Sequence, residues 1–123
     1  MIGYTTIGVK DMEKAKAFYT ELLSDLGASL LMDMDRIAFI GTGMDAPMLS
    51  ICIPYDESDP APGNGNMVAI TAPSKEKAAE LYAKALSLGA SCDGEPGQRI
   101  PDMFYGAYVR DPDGNKLAFY VFG

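Results

Sequence analysis

Apolar side chains recur at three- and four-residue steps in two stretches of the chain: Ala15, Phe18, Tyr19, Leu22 and Leu26, then Ala78, Leu81, Tyr82, Ala85 and Leu86. That spacing lines one face of a helix, so two amphipathic helices with core-facing stripes are predicted. The two stretches are copies of each other. EKAKAFYTELLSDLGAS at 13–29 returns as EKAAELYAKALSLGAS at 76–91, with ten identities over sixteen aligned pairs once Asp25 is taken as an insertion. One small module is written twice, and a residue of the first half therefore has a counterpart in the second.

Around each helix the period changes from 3.6 to 2. Tyr4–Val9 alternates about β-branched residues and stops at Asp11, a side chain able to accept from the first free amides of a helix; Gly27 is the left-handed stop at its far end. Leu30–Met34, Arg36–Ile40 and Met48–Ile53 then read as short strands separated by turn residues. The run DESDPAPGNGN at 56–66 cannot build a core and marks a linker. In the second half Met67–Thr71 reads as a strand, Ser74 as the helix cap and Gly89 as its stop, with a weak strand at Ala90–Cys92. Asp93–Met103, DGEPGQRIPDM, reads as a long surface loop, a candidate lid over a cleft. Phe104–Arg110 and Lys116–Phe122 form a hairpin about DPDGN, where turn chemistry explains the acids better than a calcium loop. The expected fold is α+β: two βαβββ modules in tandem, residues 1–55 and 67–123, joined by 56–66.

Composition narrows the chemistry. At 123 residues and 48% hydrophobic, the chain can build one compact domain or two half-domains that share a core. A net charge of −7 argues against nucleic acid or an anionic membrane as partner and leaves neutral or cationic small molecules open. No apolar run is long enough to span a bilayer, so a cytoplasmic location is expected. Cys52 and Cys92 occupy unmatched repeat positions and are expected to be free thiols. There is no histidine, which removes the commonest general base and nitrogen metal ligand together.

YTTIGVKDMEKAKAFYTELL near the start and GAYVRDPDGNKLAFY near the end resemble the two ends of the glyoxalase/bleomycin-resistance/extradiol-dioxygenase proteins, the vicinal oxygen chelate superfamily. The resemblance covers nearly the whole chain. It implies that the sheets of the two modules curl into a cup. It also implies that enzymatic members hold a divalent metal there, through one side chain from the first and one from the last strand of each module. Aligned on the family, and cross-checked by the repeat, those four positions are Tyr4, Ser50, Met67 and Ala118. Enzymatic relatives place His, Glu or Gln there, because a borderline or hard cation needs nitrogen or anionic oxygen. A neutral phenol, a hydroxyl, a thioether and a methyl group do not replace them. No metal and no other cofactor is therefore expected.

Strand alternation then assigns the cup lining. On the last strand Lys116, Ala118 and Tyr120 share a face; closing the hairpin with Arg110 opposite Lys116 sets Tyr108 against Ala118 and Gly106 against Tyr120. Carried through the repeat, the lining is Tyr4, Thr6, Arg36, Ile40, Met48, Ser50, Cys52, Met67, Phe104, Tyr108 and Tyr120, with no carboxylate among them. Such a surface suits an aromatic or cationic small molecule held by shape and oriented by phenol and hydroxyl groups. The expectation is a metal-free small-molecule-binding protein with no catalytic residue assigned. Two alternatives stand beside it: a glyoxalase- or dioxygenase-like enzyme whose ligands have moved to Glu95, Asp102 or another acid, and a protein-interaction module. Sheet edges that need covering point to a homodimer.

Overall fold

Each copy of the repeat folds into one helix and four strands. The computed structural model describes residues 1–123, which divide into two units, Met1–Pro62 and Gly63–Gly123. In the first unit the elements are β1 (Tyr4–Gly8), α1 (Met12–Leu23), a single 3-10 turn at Ser24–Leu26, β2 (Ser29–Asp33), β3 (Ile37–Gly41) and β4 (Met48–Cys52). In the second they are β5 (Val68–Thr71), α2 (Lys75–Ser87), β6 (Ser91–Ile100), β7 (Phe104–Arg110) and β8 (Lys116–Phe122). The sheets have equivalent orders, β1-β4-β3-β2 and β5-β8-β7-β6, with the first and last strands of each module parallel and the other pairs antiparallel.

The helices start and stop where their end residues dictate. Asp11 accepts from the Lys14 amide at 3.1 Å and Ser74 from the Lys77 amide at 3.0 Å, each satisfying a donor that the first helical turn leaves unpaired. Gly27, at φ 79°, closes the 3-10 turn that follows α1, a conformation that costs little only without a Cβ. The apolar stripes go inward: Ala15, Phe18, Tyr19 and Leu22 of α1 and Ala78, Leu81 and Ala85 of α2 are buried. Each helix packs on three strands of its own sheet. In unit 1 the Lys16 ammonium of α1 reaches Asp33 of β2 at 3.2 Å, which identifies the covered face as that of Ala38, Ile40, Leu49 and Ile51. In unit 2 the covered face is that of Ala107, Val109, Leu117 and Phe119, all fully buried. Removing a large side chain here, as in Leu22→Ala, costs about 2–5 kcal/mol.

The DPDGN hairpin is a turn built on one carboxylate. Asp111 is 4% exposed, and its Oδ1 accepts from the amides of Asp113 at 2.9 Å and Asn115 at 2.8 Å, while Oδ2 accepts from the Asn115 side chain at 3.0 Å. A carboxylate so committed to amides is structural.

Two sequence expectations are corrected. Asp93–Met103 is not a lid: Ser91–Ile100 forms an edge strand against β7, with register shifts at Cys92/Gly94, Gly94/Gly97 and Gln98/Ile100. An outer strand needs hydrogen bonds on one side only, so Pro96 and the glycines are tolerated at these irregularities. The second correction concerns β3. Its ladder pairs Phe39 with Ser50 and Ile40 with Leu49, and Arg36 continues the same register against Ile53. Arg36 and Ile40 therefore fall on the parity of Leu49 and Ile51, not on the face of Ser50 to which the repeat assigned them. The first module's hairpin connection has six residues, 42–47, against five, 111–115, in the second, and one extra residue exchanges the two faces of a strand. Phe39 takes the place assigned to Ile40.

Candidate functional site

Each sheet has one face turned away from its helix, and most of the expected lining residues lie on those two faces. In the first module Tyr4, Thr6, Met48, Ser50, Cys52 and Phe39 share the open face through the pairs Tyr4–Met48, Thr6–Ser50 and Phe39–Ser50. The Tyr4 and Phe39 rings meet edge to face with centroids 4.9 Å apart. Thr6 Oγ1 donates to Ser50 Oγ at 3.1 Å, so the buried hydroxyl of Ser50 is occupied within the sheet. Arg36 lies elsewhere: its guanidinium donates to the Ile53 carbonyl at 2.9 Å and covers the Tyr55 ring at 5.4 Å.

In the second module the ladder pairs Tyr108 with Ala118, Gly106 with Tyr120 and Phe104 with Phe122, while β5 sets Ala69 against Ala118 and Thr71 against Tyr120. Met67 sits one residue before β5, on the parity of Ala69, and is 44% exposed. Phe104 and Tyr120 stack with centroids 5.5 Å apart and planes 5° from parallel, and Phe122 closes on both edgewise. Thr71 donates to the Tyr120 hydroxyl at 3.0 Å. Glycines make room for these rings. A Cβ on Gly106 would stand 2.7 Å from Phe104 Cε1, and one on Gly94 would stand 2.7 Å from Tyr108 Cδ2, so both rings lie down on bare backbone.

The charged rim of this face was missed from sequence. Arg99 and Lys116 each lie 5.2 Å from the Tyr108 ring centroid. Asp93 binds Arg110 at 3.1 Å and Lys116 at 3.4 Å. Partial removal from water pushes the Asp93 carboxyl up, but Lys116 and Arg110 more than reverse that and hold it below the usual carboxylate range. Strand alternation already put Lys116 on the face of Ala118, which was the available signal. Arg99 gave none, because its segment read as a loop.

Within neither module do the positions aligned with family metal ligands present a donor pair. In the first they hold Tyr4 and the engaged hydroxyl of Ser50; in the second, Met67 and Ala118, the latter 0% exposed and without a heteroatom on its side chain. No group of three or more His, Cys, Asp or Glu side chains is placed to hold a metal ion. Glu95 is an exposed residue of β6 and Asp102 an exposed turn residue at φ 59°. The residues present do not fit a divalent metal. Away from the open faces, a recess of about 130 Å³ beside Val9, Lys10, Pro54 and Glu57 is smaller than the roughly 300 Å³ at which small-molecule pockets begin. No helix is long and apolar enough to cross a membrane.

Comparison with known proteins agrees with this architecture. Residues 1–119 match the model of the Glyoxalase/Bleomycin resistance protein/Dioxygenase superfamily. The structure of a glyoxalase/bleomycin resistance protein from Albidiferax ferrireducens superposes with a TM-score of 0.88 at 32% identity, covering 98% of this chain and 97% of that one. A lactoylglutathione lyase of Salmonella typhimurium is 28% identical over 120 residues, 93% of this chain and 87% of its own. A lactoylglutathione lyase from Agrobacterium tumefaciens shares the fold at a TM-score of 0.70 and 23% identity, over 98% and 92% of the two chains.

Proposed function

The chain belongs to the glyoxalase/bleomycin resistance protein/dioxygenase superfamily, and from that premise we propose that it is a small-molecule-binding member that works without a divalent metal and takes an aromatic ligand on its open sheet faces. The observation that carries this reading is Ala118. A methyl group at 0% exposure, between Ala69 and Tyr108 on the ladder, stands where an enzymatic relative needs a donor, and no group of three or more His, Cys, Asp or Glu side chains is placed to hold a metal ion instead. Phe104, Tyr108 and Tyr120 supply a broad aromatic surface instead. Rings gain about 0.5–1.5 kcal/mol from stacking geometry beyond the apolar area they cover. On the first module's own face Tyr4, Thr6, Met48 and Cys52 are the proposed ligand contacts, with Ser50 buried behind Thr6, and on the second module's face Met67 joins the three rings. A thermal-shift screen of aromatic small molecules, bleomycin among them, tests it: a saturable rise in Tm that is unaffected by chelator supports the reading.

A second reading rests on the 28% identity to a lactoylglutathione lyase over 93% of this chain. Under it the protein forms or cleaves lactoylglutathione with metal ligands drawn from other acids, Glu95 and Asp102 being the sequence candidates. Lyase activity that appears with added nickel or zinc and disappears in Glu95→Gln would establish it.

We further propose a homodimer. Each sheet ends in outer strands, β1 and β2 in one and β5 and β6 in the other, whose open backbone edges favour association. Light scattering at micromolar concentration should give twice the 13.2 kDa of the chain, and a monomer would contradict it.

A further inference from the structure

The charge of a ligand on the second module's open face follows from the side chains that line it. The net charge of −7, taken alone, favours a cation. At physiological ionic strength, however, charges act over roughly 8 Å, so the side chains that touch a ligand outweigh carboxylates elsewhere on the surface. At one end of this face the local balance is reversed. Arg110 and Lys116 face each other in the β7–β8 register, and Arg99 and Lys116 both lie 5.2 Å from the Tyr108 centroid. Asp93 is the one carboxylate in ion pairs with this group, and both its partners, Arg110 and Lys116, are cations of the cluster. Arg99 has no carboxylate partner; one of its terminal nitrogens donates to the Glu95 carbonyl oxygen, and the residue is exposed.

The apolar end lies next to it. Phe104 stacks on Tyr120, and the position of a Gly106 Cβ would be 2.7 Å from the Phe104 ring edge and 3.4 Å from the Tyr108 hydroxyl, so aromatic surface and phenol meet over that glycine. The two phenols differ. The Tyr120 hydroxyl accepts from Thr71, whereas the Tyr108 hydroxyl makes no hydrogen bond within the chain and remains a donor for a ligand. An aromatic stack, an unengaged O–H at its border and a guanidinium beyond are the complement of a ring bearing an anionic group.

We propose that the open face of the second module selects an aromatic carboxylate, its ring against the Phe104–Tyr120 stack and its carboxylate at the Tyr108 hydroxyl and Arg99. This rests on the small-molecule-binding reading and adds the sign of the ligand's charge. Calorimetric titration of the full chain with three probes of one shape, 2-naphthoate, 2-naphthamide and 2-naphthylmethylamine, tests it. The carboxylate should bind about tenfold or more tightly than the amide, as a charge-assisted hydrogen bond gives, and the amine most weakly. Arg99→Gln, at an exposed side chain, should bring naphthoate down to the amide's affinity and leave the amide unchanged; Tyr108→Phe should weaken naphthoate more than the amide. Equal affinities, a preference for the amine, or an unchanged preference in Arg99→Gln would overturn the charge assignment while the aromatic-binding reading stands. Failure of all three probes to bind at millimolar concentration would overturn both.

Discussion

Thr6 donates its hydroxyl proton to Ser50 at 3.1 Å across the parallel β1–β4 ladder, and Ser50 is fully buried while Thr6 is exposed. Ser50 is one of the two first-module positions that the family resemblance assigns to a ligand, and the energetics of its pair with Thr6 are asymmetric. Thr6→Val strands a buried hydroxyl and should cost about 1–3 kcal/mol. Ser50→Ala removes that hydroxyl, leaves Thr6 in contact with water, and should cost about 1 kcal/mol or less. In the double variant the cost of Thr6→Val should largely disappear. Denaturant unfolding of the four proteins checks this, and additive effects would show that the hydrogen bond does not form.

The second module's two family positions should respond in opposite ways to a carboxylate. Ala118→Glu places an uncompensated charge at a site with no exposure and should destabilise by about 3 kcal/mol or more. Met67→Glu, at a 44% exposed position, should change stability by about 0.5 kcal/mol. Equal, small effects would mean that the Ala118 position is open enough to take a donor after all.

Gly106→Ala probes the aromatic bed. Its Cβ would meet Phe104 at 2.7 Å, so the ring must leave its stack on Tyr120. Overpacking of this kind costs about 1–3 kcal/mol. The near-ultraviolet circular dichroism of the tyrosines should change with it, and a variant of unaltered spectrum and stability would contradict the arrangement.

What could be read in the sequence follows from how local each signal is. The two helices, their caps at Asp11 and Ser74 and the Tyr108–Ala118 register are fixed by residues a few positions apart, and the structure has them as expected. Two features depended on longer inference. Carrying Tyr108 through the repeat to Ile40 assumed equal hairpin lengths, and the one extra residue between β3 and β4 made Phe39 the true counterpart. Ser91–Ile100 carries Pro96 and two glycines and lacks alternation beyond the weak strand signal at Ala90–Cys92, so the sequence marks only its start as a strand; pairing with β7 extends it to Ile100. Arg99 was invisible for the same reason, since only that strand brings it to the Tyr108 ring.

Tyr82 gives a test of the opposite, helix-covered face. Its hydrogen bond to Cys92, with desolvation and the charges of Cys92 and Glu95 adding to it, pushes the phenol up to about 12 from its ordinary value near 10. A raised folded-state value favours the protonated fold, so this contribution is fully present below pH 10 and is lost as the pH rises from about 10 through about 12. Difference titration of tyrosine absorbance between the wild type and Cys92→Ala should show one phenol ionising at lower pH in the variant. Superimposable curves would remove the Cys92 contact.

The central claim is that this member of the family has an aromatic binding surface in place of a metal-ligand set. Elemental analysis by inductively coupled plasma mass spectrometry addresses it most directly, on protein purified without chelator and again after equilibration with zinc, nickel, manganese and iron(II) followed by desalting. Far less than one ion per chain is expected in every case. One equivalent retained through desalting, and lost in Tyr4→Phe or Glu95→Gln, would contradict it.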